Sequence, residues 1–197
     1  MLSWLLTEFM TIFETSLVLL FALLALSIVW TTLRVGISPV PSRRLARLAM
    51  LDAVGSPVAG STIVDTGSGW GSVVIAAARR FPQAQVVGYE LSLVPFLISV
   101  ILKHLLNLTN LRIVHRDFMT QDLTRAAIIL CYLYPTGMQR LSTKLVADQF
   151  SGLLISNTFT LTNMNAQRVV RIDDLFRSPV YIYHLSQGAT DKDMINV

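Results

Sequence analysis

The chain has 197 residues, of which 53% are hydrophobic and 14% are charged, with a net charge of +4 and a mean hydropathy of +0.57. This composition excludes an ordinary soluble domain and predicts a membrane-embedded segment. The positive charge does not require a nucleic-acid partner, because several arginines follow a long apolar stretch, where anionic lipid headgroups account for them. The single cysteine, Cys131, excludes an internal disulfide and lies in an apolar run that favours burial.

The long apolar stretch comes first along the chain. Thr15 to Leu33 is uncharged and, as a helix, is about 28 Å long, which matches the hydrocarbon core of a bilayer. Trp30, near one end, suits an interfacial position. Glu8 and Glu14 precede this stretch, whereas the charges that follow it closely are basic: Arg34, Arg43, Arg44 and Arg47. The asymmetry predicts a single-pass anchor at residues 1–35 and a cytoplasmic remainder, with a cleaved signal peptide or a buried core helix as alternatives.

The remainder is predicted to be one domain at residues 36–187, followed by a tail at 188–197. Strands alternate with helices along it. Helices are predicted at 43–54, 72–80, 92–106 and 136–148, and strands at 62–64, 85–89, 111–115, 126–133, 152–156, 167–172 and 180–184. The alternation predicts an α/β, Rossmann-like fold with a doubly wound, mainly parallel sheet. The last two strands have no helix between them, which predicts a C-terminal antiparallel hairpin.

A glycine-rich turn joins the first strand to the next helix. It reads Asp65-Thr66-Gly67-Ser68-Gly69-Trp70-Gly71. Glycine at three alternate positions removes the Cβ atoms that would block a ligand, and the following helix directs unpaired N–H groups into the same space. Such a turn favours a nucleotide-like ligand, although it is also compatible with a plain connector.

Three acidic residues follow three consecutive strands. Asp65 ends the first, Glu90 the second, and Asp117 lies just beyond the third, so all three are predicted at the carboxyl edge of one sheet, where open α/β sheets bind ligands. A carboxylate about 20 residues after a glycine turn is placed to accept the hydroxyls of a ribose, which favours this role for Glu90. Each acid is alternatively a helix cap or a solvated charge.

These residues resemble those of the class I S-adenosylmethionine-dependent methyltransferases, over the region from Thr62 to Ser156. The resemblance implies S-adenosyl-L-methionine as cofactor, with the glycine turn at its methionine part, Glu90 on the ribose, and Asp117 and Phe118 at the adenine. The cofactor-binding residues it implies are Asp65, Thr66, Gly67, Ser68, Gly69, Gly71, Glu90, Leu91, Asp117 and Phe118.

More narrowly, the anchor and the segment from Tyr132 through Tyr134 to Pro135 resemble the membrane-anchored protein lysine methyltransferases that act on the ATP synthase c subunit and the adenine nucleotide translocase, with prokaryotic relatives. That subgroup usually has an acid where Trp70 stands and an arginine where Ser72 stands. The resemblance implies a protein substrate with an accessible lysine. The apolar span makes the bilayer an expected partner through residues of about 15–33, and the expected location is a bacterial inner membrane.

Methyl transfer to an amine requires alignment and a neutral nucleophile but no nucleophilic side chain. The sequence fits this requirement, because its three histidines are scattered without metal-ligand spacing and no metal is expected. Tyr132, Tyr134 and Pro135 are candidates for positioning the acceptor, through cation–π contact or by plain packing. Small-molecule or lipid methylation, a nicotinamide-dependent oxidoreductase and a catalytically inactive methyltransferase-like membrane protein are the alternatives.

Overall fold

The computed structural model describes residues 2–35, 44–173 and 177–186. The chain divides into two compact units, residues 1–38 and 39–197. The helices are α1 (Leu2–Val35), α2 (Arg44–Val54), α3 (Ser72–Arg80), α4 (Leu93–Leu105) and α5 (Pro135–Ala147). The strands are β1 (Thr62–Asp65), β2 (Gln85–Tyr89), β3 (Leu111–Val114), β4 (Ile128–Cys131), β5 (Gly152–Asn157), β6 (Arg168–Arg171) and β7 (Pro179–Leu185).

The first unit contains α1, which is longer than the predicted span. The stretch of α1 that is long and apolar enough to cross a membrane is Glu8–Ser27, whereas the sequence predicted 15–33. The apolar character continues on the N-terminal side of Glu14, so a single carboxylate does not end the helix or its hydrophobic stretch. Most described leucine and phenylalanine side chains of this stretch are exposed, as Phe9 and Leu19 illustrate, and Leu24 is half-buried.

The second unit is a seven-stranded sheet in the order β3-β2-β1-β4-β5-β7-β6. The first five strands are parallel, and β7 pairs antiparallel with both β5 and β6. The predicted doubly wound sheet and its C-terminal hairpin are therefore confirmed. The strand predicted at 126–133 is shorter, because Ala126 closes a turn on Leu123 and the chain leaves the sheet after Cys131 to begin α5.

Two hydrophobic cores lie on opposite faces of this sheet. The connections through α3 and α4 step along the sheet in one direction, whereas the connection through α5 steps in the other, so right-handed crossovers place α5 on the face opposite α3 and α4. The buried side chains agree: Val74 of α3 belongs to one core, and Leu141 of α5 belongs to the other. Cys131 is buried as predicted, and burial raises the pKa of its thiol to about 12.

The direction of the connections reverses between β1 and β4. In sheets of this type a crevice forms at the carboxyl ends of the strands where the direction reverses, and ligands bind there. Asp65, the last residue of β1, pairs in register with Gly88 of β2 on one side and Leu130 of β4 on the other. The predicted domain boundaries at residues 35 and 187 stay predictions, and the predicted tail lies outside the described residues.

Candidate active site

The glycine turn lies between the ends of β2 and β4. The Thr66 N–H donates to the Leu130 carbonyl of β4 at 3.2 Å, and the Ser68 N–H donates to the Tyr89 carbonyl of β2 at 2.9 Å. The turn is therefore fixed at the point where the sheet reverses direction. The sequence predicted the turn at the carboxyl edge of the sheet, between the first strand and the next helix, and did not predict the reversal of direction there.

Two positions of the turn are glycine for different structural reasons. Gly71 has φ +81°, and a Cβ there would lie 2.9 Å from the Ser99 Cβ of α4, so close packing requires glycine. Gly69 has φ +52°, but a Cβ there would meet nothing within 4 Å, so its side of the turn faces open space. A third glycine, Gly88, was not among the predicted site residues; a Cβ on it would lie 2.9 Å from the Ser68 Cβ. The turn thus packs tightly on α4 and β2 and is open at Gly69.

Glu90 holds the glycine turn to the end of β2. Its Oε2 accepts the Gly69 N–H at 2.7 Å, and its Oε1 accepts the Ser92 N–H at 2.6 Å. The residue is 8% exposed. A carboxylate oxygen can accept two hydrogen bonds, and each Glu90 oxygen accepts one of these two, so Glu90 retains the capacity to accept ribose hydroxyls while it fixes the turn. The next residue, Leu91, is exposed, and its carbonyl lies 2.8 Å from the His115 Nε2.

Asp65 is a buried carboxyl group beside Glu90. Burial raises its pKa from 3.8 to about 7; the hydrogen bond from the Gly67 N–H opposes this shift, and the charge of Glu90 adds to it. Two acidic groups that influence each other are thus both buried, which is unfavourable unless a proton or a cation compensates. The site therefore favours a ligand that carries positive charge.

Two hydroxyl groups in the turn lack partners. The Thr66 Oγ1 and the Ser68 Oγ are buried and form no hydrogen bond with any described residue. Buried polar atoms are normally paired, because leaving one unpaired costs free energy. The two unpartnered hydroxyls, the open side of Gly69 and the acidic pair together suit a polar cation. S-adenosylmethionine is such a cation, because it carries a sulfonium and an ammonium group.

Asp117 lies at the start of a short 3₁₀ helix, Phe118–Thr120, beyond β3. Its Oδ1 accepts the Met119 N–H at 2.9 Å, so it is a helix cap, as the alternative interpretation of the sequence had it. Its Oδ2 lies 3.9 Å from an Arg140 guanidinium nitrogen of α5. About a third of the Asp117 side chain is exposed, and Phe118 is half-buried. Their predicted roles at the adenine stay predictions.

Three aromatic side chains gather beyond β4 and β5. The Phe159 ring stacks on Tyr132 with a centroid distance of 6.1 Å and meets Tyr134 edge-on at 6.1 Å. We call these three rings the aromatic cluster. Between the two tyrosines, Leu133 turns back toward the glycine turn, where its Cδ2 would lie 3.4 Å from a Cβ on Gly67. The cluster therefore adjoins the glycine turn through Leu133, and Pro135 begins α5 directly after it.

Phe159 was not among the predicted site residues. It is held by the tight segment after β5, in which Thr158 has φ +69°, an unusual conformation for a β-branched residue. The Thr158 N–H donates to the Pro179 carbonyl at 2.8 Å, and the Ser156 hydroxyl donates to the Phe159 carbonyl at 2.5 Å. The signal available in the sequence was an aromatic residue just beyond a strand whose end lies at the same sheet edge.

The sequence that forms this site matches a known protein family. The profile of the ANTKMT methyltransferase domain matches residues 65–168, which begin at Asp65 and include Glu90 and the aromatic cluster. The chain belongs to the ANTKMT methyltransferase family. It is therefore an S-adenosylmethionine-dependent methyltransferase, as the resemblance implied, and the nicotinamide alternative is wrong.

Solved structures show the same fold in other methyltransferases. An RNA methyltransferase from Salinibacter ruber, solved with S-adenosyl-L-homocysteine, has 23% identity and a TM-score of 0.66, over 75% of this chain and 95% of that one. A putative methyltransferase from Escherichia coli has 15% identity and a TM-score of 0.61, over 75% of this chain and 89% of that one. No curated protein sequence matches the chain. At these identities the structures support the fold of this ANTKMT family member and do not define its methyl acceptor.

Proposed function

We propose that this protein is a membrane-anchored methyltransferase that modifies a lysine on a membrane or membrane-associated protein, with its catalytic domain on the cytoplasmic side. The aromatic cluster beside the glycine turn is the observation that carries the lysine assignment. The match to the ANTKMT family, together with the resemblance to the membrane-anchored protein lysine methyltransferases, supports a protein lysine as acceptor. A small molecule or a lipid as acceptor is the competing outcome of the tests below.

The anchoring rests on α1. Glu8–Ser27 is long enough to cross a hydrocarbon core, and none of its described side chains is buried. In water this apolar surface would be unfavourable, whereas acyl chains accommodate it. The arginines that follow the helix favour a cytoplasmic position for the second unit, because basic residues flanking a span are retained on that side.

The cofactor is assigned to the edge formed by the glycine turn and Glu90. In this proposal Glu90, which accepts the Gly69 N–H, would also accept hydroxyl groups of the ribose, and the buried Asp65 with the unpartnered hydroxyls of Thr66 and Ser68 would hold the methionine part. S-adenosylmethionine supplies an activated methyl group on its sulfonium, which a neutral amine takes in an in-line displacement. The protein's task is then to hold the amine in line with the activated methyl group.

The aromatic cluster suits the alignment of a lysine. The faces of Tyr132 and Phe159 are nearly parallel, with an interplanar angle of 17°, and Tyr134 closes the group at 65° to Phe159. Aromatic faces attract an ammonium group and its aliphatic stem, each such contact being worth about 0.5–2 kcal/mol. Tyr134 is 46% exposed, so the cluster is reachable from outside. Since the amine loses its proton before attack, water at this exposed edge suffices to accept it.

Mass spectrometry of membrane proteins tests this proposal. Membranes from cells with and without the protein should differ by the loss of at least one methylated lysine. Expression of the wild-type chain should restore the modification, and Glu90→Ala should not, because this substitution releases the glycine turn and removes the proposed ribose acceptor. Unchanged lysine methylation across the membrane proteome would contradict the lysine assignment.

A further inference from the structure

The helix α4 has its apolar side chains on the outside. Its exposed side chains include a row with one residue every four positions, namely Leu93, Leu97, Ile101 and Leu105, which are 47%, 46%, 57% and 72% exposed. We call these four residues the α4 row. Residues four apart lie on one face of a helix, and twelve steps at 1.5 Å give the row a length of about 18 Å. Ile98 and Leu106 add further exposed apolar surface beside it.

The face of α4 that packs on the domain is small and partly polar. Its buried residues are Pro95 and Ser99, and Ser99 packs against Gly71 of the glycine turn. The neighbouring helix α3 shows the usual arrangement, burying Val74 and exposing Arg79. An ordinary surface helix packs its apolar face on the core, whereas α4 exposes much of its apolar surface. A continuous exposed apolar surface of this kind marks an interaction site.

The charged residues in and near α4 indicate which kind of partner the α4 row contacts. Residues 91–116 contain no aspartate or glutamate, but they contain Lys103, Arg112 and Arg116. None of these three forms an ion pair with a described residue. An apolar row accompanied by basic residues that form no ion pair with a described residue matches an anionic lipid surface, where acyl chains meet acidic headgroups. A second copy of the chain would bring like charges together.

The proposed anchor would keep the second unit close to such a lipid surface. Only eight residues separate the end of α1 at Val35 from the start of α2 at Arg44, and an extended chain of that length reaches at most about 30 Å. We propose that the α4 row inserts into the headgroup region of the bilayer that α1 crosses. This second membrane contact would form at a lipid surface rich in acidic phospholipids. This inference rests on the proposed anchoring by α1.

The proposed contact has a consequence for the acceptor. α4 begins three residues after Glu90, so the N-terminal end of the row adjoins the edge that holds the cofactor. A domain resting on this row keeps that edge close to the headgroups. The methylated lysine is then expected within a few residues of a membrane-spanning segment of the target, and not in a distant soluble domain.

Site-directed fluorescence on the full chain tests the contact. Cys131 is 1% exposed, so an introduced cysteine is labelled selectively. Ile101→Cys carries the probe on the row. Val146→Cys is the matched control, because Val146 is also apolar, is 54% exposed, and lies on α5 at the opposite face of the sheet. Both variants, bearing a polarity-sensitive dye, are reconstituted into vesicles of phosphatidylethanolamine and phosphatidylglycerol, after S-adenosylmethionine binding has confirmed their fold.

Two quenchers then read the surroundings of each dye. We expect nitroxide-labelled lipid to quench the dye at 101 several-fold more than the dye at 146, and aqueous iodide to show the reverse order. Iodide quenching at 101 equal to that at 146 would overturn the contact. So would a dye at 101 that neither quencher reaches, since this result would mean coverage by α1 or by a second copy.

Vesicle flotation separates this inference from the anchoring on which it rests. If the protein floats with the vesicles but iodide still quenches the dye at 101, the anchoring is supported and only the α4 contact is contradicted. If the protein does not float, both the anchoring and the α4 contact are contradicted. Vesicles of phosphatidylcholine alone should reduce the lipid quenching at 101, because they lack the acidic headgroups; equal quenching would overturn the proposed preference for acidic lipid.

Discussion

Replacing Asp65 with asparagine should change how the stability of the cofactor-free protein depends on pH. Burial raises the pKa of Asp65 from 3.8 to about 7, whereas in the unfolded chain the group returns to its ordinary value. The folded state therefore binds the proton more tightly, and unfolding releases it between these two pKa values. Stability from this group is present at low pH and declines as the pH rises toward 7.

The size of the effect follows from the two pKa values. A shift of about three units corresponds to roughly 4 kcal/mol in total, and about 2–3 kcal/mol of this falls between about pH 5 and about pH 8. Asparagine has nearly the same shape and never acquires the charge. The free energy of unfolding of Asp65→Asn, relative to wild type, should therefore rise by about 2–3 kcal/mol over this range.

Denaturant titration of the full chain in detergent micelles, without cofactor, measures this difference at each pH. Asp122→Asn is the control. Asp122 is exposed, and hydrogen bonds from the Thr124 hydroxyl and N–H lower its pKa, so its contribution to stability changes only below about pH 4 and its difference from wild type should stay flat between about pH 5 and about pH 8. A flat difference for Asp65→Asn, or a loss of stability that grows with pH, would refute the electrostatic account of the site.

Three further substitutions test the geometry of the turn, the aromatic cluster and the supporting fold. Gly71→Ala should destabilise by about 2–4 kcal/mol in denaturant titrations, since it adds a clash to the left-handed conformation, whereas Gly69→Ala should cost only about 1–2 kcal/mol and mainly weaken S-adenosylmethionine binding; equal losses would contradict the packing of the turn. Phe159→Ala should lower kcat/KM for the acceptor by about 2- to 30-fold while leaving the cofactor Kd unchanged in calorimetry; a loss confined to cofactor binding would remove the cluster from acceptor recognition. Asn110→Ala should cost about 1–3 kcal/mol of unfolding free energy, because the Asn110 amide donates to three carbonyls around the end of α3, and Asn110→Asp should cost at least as much; a fully stable aspartate variant would show that these bonds contribute nothing.

The sequence predicted those features whose signals are local. Strands and helices followed from hydrophobic periodicity, and the turn from Asp65 to Gly71 was recognisable because its glycines lie between a strand and a helix. Glu90 was predicted from its distance to that turn, and the structure places it on the Gly69 N–H. These signals need no knowledge of how distant parts of the chain meet.

Features that depend on distant contacts were not predicted. Phe159 reaches the two tyrosines because the segment after β5 is held by the Pro179 carbonyl of β7, some twenty residues away in the sequence. The outward face of α4 was also hidden, because the helix is apolar on most sides and its pattern does not show which side packs on the sheet. Small residues such as Ser99 decide the packing there through their fit against Gly71.

Transfer of an isotope-labelled methyl group is the most direct test of the proposed activity. The full-length protein, in micelles with labelled S-adenosylmethionine, is incubated with membranes from cells that lack it, and the labelled product is identified by hydrolysis and mass spectrometry. The proposed function predicts label in methyllysine of a membrane protein with the wild type, and at least tenfold less with Glu90→Ala, which is about 1.4 kcal/mol of lost transition-state stabilisation. Cofactor binding without label in any protein, or label in lipid alone, would contradict it.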